Sequence, residues 1–163
     1  MEPYDIRDVV FRFRYPKIGL ELGHDTLKRE SHEHIYVVRL DATNNGPAVL
    51  RDYLMQVTAP VDCLTHIPTE NWTVDSYSDM GAVRLVTLSQ FTGIASPEVW
   101  QVYPQQTRNL RGSTRRWRVE YKMDTQLDRE LHRLYKSTFR CTVYGVDMPP
   151  VTVEKPFREM HEF

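Results

Sequence analysis

The chain has 163 residues, of which 40% are hydrophobic and 26% are charged, and its formal net charge is −1. This composition is typical of a globular domain and excludes an intrinsically disordered chain. The near-neutral charge excludes an overall attraction to nucleic acid or anionic lipid, so binding of either would need a local patch. We expect a single domain over residues 1–163, large enough to hold a core without disulfide support.

The N-terminal sequence MEPYD has neither the basic start nor the apolar run of a secretory signal. No stretch approaches the ~20 apolar residues that cross a bilayer. We therefore expect a cytoplasmic location and no membrane contact. Thiols stay reduced in the cytosol, so Cys63 and Cys141 are predicted to be free and buried. A bridge between the two sheets of an immunoglobulin-like domain is the alternative.

In chain order, the apolar residues recur mostly with a period of two, which indicates β-strands. The run Asn44-Asn45-Gly46-Pro47 predicts a tight turn, because Asn and Gly tolerate a positive φ and Pro fixes its own. Residues 68–81 are polar and rich in turn formers, and they are predicted to form a loop. The predicted strands cover 9–15, 18–22, 34–42, 53–57, 63–67, 82–91, 99–103, 115–123, 139–146 and 151–157.

One segment departs from this alternation. Leu127, Leu131 and Leu134 recur at helical spacing after Asp124 and Thr125, which can cap a helix. The combination of short strands, regular turn signals and one short helix predicts an all-β protein. We expect a two-sheet immunoglobulin/fibronectin III-like antiparallel sandwich with one short helix.

Arginines crowd one short stretch of the chain, from Arg108 to Arg118. Guanidinium groups suit phosphate and nearby aromatic rings suit stacked bases, so this stretch is the candidate nucleic-acid site. On a strand, however, Trp117 would point away from its neighbouring arginines, which favours a core position for the ring. The alternative is a charged strand face that protects a sheet edge from pairing. The candidate residues are Arg108, Arg111, Arg115, Arg116 and Arg118.

Two histidines, His32 and His34, form a His-x-His pair at the start of a predicted strand. Alternate strand residues point the same way, so both imidazoles could reach one metal ion if His24 or His66 supplied a third ligand. A solvated turn is the alternative. The sequence predicts no metal and no cofactor.

Signatures of catalysis are missing from the sequence. No Gly-x-Ser-x-Gly elbow surrounds Ser31 or Ser113, and the seven glycines form no phosphate-binding loop. The acidic residues Glu70 and Asp75 lie in a polar stretch and are interpreted as solvated. We therefore predict that the protein is not an enzyme.

Two groups of segments carry a resemblance to known domains. Residues 41–47 (DATNNGP) and 54–60 (LMQVTAP) are similar to the strand, turn and proline-ended strand of immunoglobulin-like and fibronectin III-like modules. Residues 102–106 (VYPQQ), 139–144 (FRCTVY) and 145–150 (GVDMPP) resemble the tail domain of bacterial Schlafen/AlbA-type DNA-binding proteins. That resemblance extends from about Tyr15 to the end of the chain. It implies a β-sandwich that accompanies an AlbA-like domain. It assigns none of that domain's nucleic-acid-binding residues to this sequence.

The leading hypothesis is an accessory or protein-interaction module that binds another protein or domain through an edge strand or the loops at one end. The edges are predicted within 14–22 or 151–157. Nucleic-acid contact from Arg108 to Arg118 is the second hypothesis, and it requires those arginines on one exposed face with the acidic residues elsewhere. A hydrolase of unknown type is the third, and it requires a pocket that brings a His, a carboxylate and a hydroxyl together.

Overall fold

The computed structural model describes residues 15–30, 32–68, 72–92, 101–110, 118–124, 134, 137–146 and 148–160. These residues form an all-β fold of two antiparallel sheets, as the sequence predicts. Two short 3-10 turns, Val61–Cys63 and Phe157–Glu159, follow the third and the last strand. The strands are β1 (Ile18–Glu30), β2 (Glu33–Asn44), β3 (Leu54–Pro60), β4 (Thr73–Met80), β5 (Val83–Phe91), β6 (Thr107–Asn109), β7 (Glu120–Asp124), β8 (Thr138–Tyr144) and β9 (Val151–Pro156).

The two sheets differ in width. In the first sheet, β1 pairs with one edge of β2, and β6 and β7 pair with successive parts of the other edge. The second sheet has five strands in the order β4-β5-β3-β8-β9. On one side of the sandwich β1 and β9 lie together, and the Lys155 ammonium donates to the Leu22 carbonyl at 3.1 Å. On the other side, in the described parts of the chain, β4 packs closely on β5 alone.

Alternate side chains of the strands fill the space between the sheets, and aromatic rings span it at one end. Tyr36 stacks on Tyr121 with ring centroids 5.5 Å apart, and Tyr121 meets Phe139 at 4.9 Å. Phe139 in turn lies 6.0 Å from Phe157. The Tyr121 hydroxyl donates to the carbonyl of Met160. This series therefore ties β2 and β7 of the first sheet to β8 of the second sheet and to the C-terminal segment.

The predicted turn after β2 is confirmed, and the side chain of Asn44 organises it. This buried amide accepts hydrogen bonds from the backbone N–H groups of Gly46 and Lys17, at 3.0 and 3.3 Å. It donates to the carbonyls of Ala48 and Val102, at 2.7 and 3.0 Å. A Cβ on Gly46 would lie 2.4 Å from the Lys17 nitrogen, so the turn is pressed against the start of β1.

The prediction of a loop over residues 68–81 is wrong, because Thr73–Met80 is a strand. Its side chains are exposed except that of Val74, which is half-buried. A strand with almost all of its side chains exposed has no apolar face to bury, so its sequence carries no hydrophobic alternation.

Two other strand predictions also needed correction. Instead of a strand over 63–67, the chain turns at Val61–Cys63 and makes a single bridge between Leu64 and Tyr121. Pro60 ends the preceding strand, because proline has no N–H to donate. The first strand continues well beyond residue 22, since its outer half pairs with β2 although most of its side chains face solvent.

Some predictions fall on residues that the structure does not describe. These are residues 9–14 of the strand predicted over 9–15, Trp117, and the helix over 127–135 apart from Leu134, which is buried. Among the described residues, no helix is long and apolar enough to cross a membrane.

Candidate functional site

Strand β4 forms an open edge of the second sheet. Among the described residues it pairs only with β5, and its other edge has no strand beside it. The predicted edges 14–22 and 151–157 are also edges in the strand order, since β1 and β9 each pair with one strand. Those two edges lie against each other, however, whereas β4 packs closely on β5 alone among the described strands.

The hairpin between β4 and β5 determines which backbone groups of β4 point outward. Gly81 is the first of two turn residues and has a φ of +62°, as a type II′ turn requires. In such a hairpin the closing pair, here Met80 with Val83, exchanges its hydrogen bonds across the ladder. Alternation then turns the N–H and C=O groups of Tyr77 and Asp79 away from β5. These groups are placed to pair with another strand.

The first half of β4 is shaped differently. The register shifts between Val74 and Ser76, which is a β-bulge at Asp75. The Asp75 carboxylate accepts hydrogen bonds from Ser89 at 2.8 Å and from Gln56 at 3.2 Å. Bulges and charges are common protections of sheet edges. The part of the edge without a bulge is therefore the second half of β4, from Ser76 onward.

Large apolar side chains lie on this second half. Tyr77 is 44% exposed and Met80 is 41% exposed. The guanidinium carbon of Arg84, on β5, lies 4.6 Å from the centroid of the Tyr77 ring, so a cation–π contact holds the ring. The strand itself carries acidic but no basic residues. The exposed edge thus presents an aromatic ring, held by Arg84, beside outward-pointing backbone N–H and C=O groups. The charged side chains of the strand itself are all acidic.

Two of the five candidate arginines, Arg108 and Arg118, are described, and they point to different faces. Arg108 pairs with Ala42, whose side chain is in the core, and its guanidinium donates to the Gln101 carbonyl at 3.0 Å. Arg118 precedes the buried Val119, so it faces outward from the first sheet. Arg111, Arg115 and Arg116 lie outside the described residues, and their role as a nucleic-acid site stays a prediction.

Acidic residues share the outward face of the first sheet. There the Arg39 guanidinium pairs with Asp41 at 3.0 Å and with Asp25 at 3.6 Å. Glu120 points the same way as Arg118, two residues before it. The mixture of charges is that of a solvated sheet face, and it does not favour a phosphate backbone as a partner.

Two of the candidate histidines pack against the same core tyrosine. His34 lies on β2, and its Nδ1 atom is 3.3 Å from the Tyr36 hydroxyl, whereas His32 is exposed in the turn before the strand. The ring of His24 packs edge-on against Tyr36 with centroids 5.4 Å apart. Within the described parts of the chain, no group of three or more His, Cys, Asp or Glu residues could hold a metal ion. His24 and His34 contact a core tyrosine instead.

Both cysteines are free and buried, as the sequence predicts. Burial raises the pKa of Cys141 to about 12, and burial likewise raises the pKa of Cys63 far above its usual range. Such thiols are not nucleophiles at neutral pH. Cys141 lines an apolar cavity of about 20 Å³ between the sheets, which has room for about one water molecule.

The residues considered for catalysis do not form a described site. Ser31, Glu70 and Ser113 lie outside the described residues. Asp75 lies on an exposed strand with Ser89 and Gln56 as its hydrogen-bond partners. The open edge of β4 is therefore the candidate functional site, and sequence analysis missed it. The one sequence signal for it is Gly81, directly before a predicted strand, where a hairpin turn needs glycine.

Comparisons with known proteins do not identify a family. No family model matches the chain, and no curated protein matches it. Two solved structures of a GH20 exo β-N-acetylglucosaminidase from Vibrio harveyi, one an inactive mutant and one in complex with N-acetylglucosamine, are 10% and 11% identical to it, each with a TM-score of 0.32. The matches cover 84% and 87% of this chain but 17% and 19% of those proteins. The chain thus spans less than a fifth of their length, and a likeness of this size carries no functional argument.

Proposed function

We propose that this domain is a non-catalytic protein-interaction module whose strand β4 binds an extended segment of a partner protein by β-strand addition. One observation carries the proposal: in the described part of the chain β4 ends the second sheet, and its backbone groups at Tyr77 and Asp79 point away from β5. An added strand would satisfy these groups with main-chain hydrogen bonds and would take its specificity from alternate side chains.

The side chains of β4 indicate the chemistry of the partner segment. Asp75 and Asp79 give the strand a negative charge, and Tyr77 offers an exposed ring. Tyr77 and Asp79 are two residues apart and point to the same face of β4, so a complementary strand would present an apolar and a basic residue two positions apart on that face. If the resemblance to the tail domain of Schlafen/AlbA-type proteins holds, that segment belongs to a neighbouring domain of the same assembly.

Proline substitution tests strand addition directly. Asp79→Pro removes an N–H that points outward and leaves the hydrogen bonds of the hairpin itself intact. Asp79→Ala is the matched control, because it removes the same carboxylate and keeps the N–H. Peptides selected from a random display library against the unmodified domain serve as the probe, titrated by fluorescence anisotropy.

We expect the selected peptides to bind Asp79→Pro at least about tenfold more weakly than Asp79→Ala, since one lost backbone pair and a blocked ladder cost on the order of 1.4 kcal/mol or more. Melting temperatures of the two variants should agree. Equal binding by both would contradict the proposal, and so would peptides that perturb amides of the first sheet only.

The nucleic-acid hypothesis makes a different prediction for the same protein. Gel-shift titrations with single- and double-stranded DNA and RNA at low salt should show a complex that Arg115→Glu with Arg116→Glu abolishes and that salt weakens. A complex of that kind would favour the arginine segment over β4 as the functional site.

A further inference from the structure

The turn after β2 contains the dipeptide Asn45-Gly46, in which an asparagine side chain can react with the backbone. The side-chain carbonyl carbon of an asparagine is open to attack by the backbone nitrogen of the next residue, and this reaction is one reason why asparagine is thermolabile. Glycine in the next position favours the attack, because it has no Cβ to hinder the nitrogen and lets the backbone rotate freely. The sequence contains Asn-Gly nowhere else.

The fold holds the proton of the Gly46 nitrogen in place. Gly46 is buried although Asn45 is exposed. The N–H of Gly46 donates to the Oδ1 atom of Asn44 at 3.0 Å, and this bond is buried. The nitrogen can attack only after it loses its proton, and it would then face an amide oxygen that can only accept hydrogen bonds. Loss of the proton is therefore unfavourable as long as this bond is intact.

The backbone around the dipeptide is also fixed. The N–H of Asn45 donates to the Lys17 carbonyl at 2.8 Å. Gly46 lies so close to the segment before β1 that an added Cβ would be 2.4 Å from the Lys17 nitrogen and 3.0 Å from the carbonyl carbon of Pro16. Attack requires the nitrogen and the side-chain carbon to come within about 3–3.5 Å, and the peptide between the two residues must rotate to allow it. These contacts restrict that rotation.

We propose that Asn45 is a deamidation site that the folded turn keeps closed and that opens when the bond from Gly46 to Asn44 breaks. In the open turn, the Gly46 nitrogen gives its proton to a base and bonds to the side-chain carbonyl carbon of Asn45. The bond from that carbon to the side-chain nitrogen breaks, and ammonia leaves after it takes up a proton. A succinimide ring remains, and water opens it at either carbonyl to give aspartate or isoaspartate.

The isoaspartate product does not fit the turn from which it came. Its backbone runs through the former side chain, so one extra carbon separates the nitrogen atoms of residues 45 and 46. This changes the spacing of the hydrogen bonds that the two nitrogens make to Lys17 and Asn44. Modification also replaces a neutral amide with a carboxylate. The turn therefore stays open after the reaction, and modified molecules are a lasting record of earlier opening.

Two other asparagines are less reactive for reasons that the structure shows. The next residue after Asn44 has a side chain, and the Asn44 amide is itself buried and held by four hydrogen bonds. Asn109 precedes Leu110, whose side chain hinders the nitrogen and whose N–H donates to the Leu40 carbonyl at 2.7 Å. Both asparagines serve as internal references in the same protein.

The first measurement compares the folded chain with a peptide of residues 41–49, which has the same dipeptide and no fold. Both are incubated at mildly alkaline pH, and peptide mapping by mass spectrometry gives the fraction of Asn45 converted to aspartate and isoaspartate. A site that reacts only from the open turn is slowed by the ratio of closed to open molecules. We expect the folded chain to react at least about tenfold more slowly than the peptide, with Asn109 unmodified.

Two variants test whether Asn44 keeps the site closed. Asn44→Ala removes the acceptor of the Gly46 N–H, and we expect deamidation at least about tenfold faster than in the parent chain. Val86→Ala is the matched control, because it loosens the core at β5, which pairs with β3 and β4. With urea added so that both variants have the same global stability, Val86→Ala should react more slowly. Asn45→Gln should abolish the mass change, which assigns the reaction to this position.

Three results would overturn the proposal. One is equal deamidation of Asn45 in the folded chain and in the peptide, and another is a peptide that keeps Asn45 intact. The third is equal acceleration in Asn44→Ala and Val86→Ala, since the reaction would then require global unfolding. If Asn44→Ala does not fold, the parent chain in low urea decides the same point. A rate that rises with urea as steeply as the global unfolding equilibrium would show that local opening of the turn is not the route.

Discussion

Replacement of Asn44 with alanine is expected to destabilise the domain by about 4 kcal/mol. The side chain makes four hydrogen bonds, to Lys17, Gly46, Ala48 and Val102, and it is fully buried. Each neutral bond contributes roughly 1 kcal/mol net, and the bond of 3.3 Å to Lys17 contributes less. The total of about 4 kcal/mol includes the cost of leaving the N–H of Gly46 without its partner inside the protein.

The measurement is urea unfolding followed by circular dichroism, with the slope of the transition used to check that the unfolded state is unchanged. A loss of about 4 kcal/mol corresponds to a melting temperature lower by roughly 8–16 °C for a chain of this size. Asn45→Ala is the matched control, because its side chain is exposed and its backbone N–H keeps the 2.8 Å bond to the Lys17 carbonyl.

Asn44→Asp refines the test. A carboxylate could still accept from Lys17 and Gly46, but its second oxygen would face the carbonyls of Ala48 and Val102 without a proton to donate. At neutral pH it should destabilise the domain at least as much as alanine. If Asn44→Ala cost no more than Asn45→Ala, the turn would not depend on this amide and the reasoning would be refuted.

Two further predictions concern the same core. Gly46→Ala should lower stability by about 1–3 kcal/mol, because a Cβ would lie 2.4 Å from the Lys17 nitrogen, and a variant as stable as the parent in urea unfolding would show that the loop moves aside freely. Burial raises the pKa values of Tyr53 and Tyr121 well above the usual value. The stability that these neutral phenols contribute is present below their unfolded pKa of about 10 and is lost as pH rises above it, so spectrophotometric titration should show at least two tyrosines that ionise only with unfolding. Free titration of all tyrosines in the folded protein would contradict that assignment.

The sequence by itself determined the fold class and several local features. The period-two alternation of Val119, Tyr121 and Met123 placed these side chains in the core, where the structure buries them. The run from Asn44 to Pro47 indicated a turn, because Asn, Gly and Pro are the residue types that turns favour and Pro cannot continue the hydrogen bonding of a strand. These features depend on residues close in the chain, so local pattern is sufficient to predict them.

Only the tertiary structure revealed the candidate site. The side chains of strand β4 are exposed except for the half-buried Val74, and a strand with no buried face leaves no periodic signal. Strand order also makes neighbours of Leu54, Phe91 and Tyr144, which are far apart in the chain, and many other strand orders would satisfy the same alternation. Hydrophobic alternation specifies which face of each strand is buried, whereas the choice of neighbouring strands depends on how all the faces pack together.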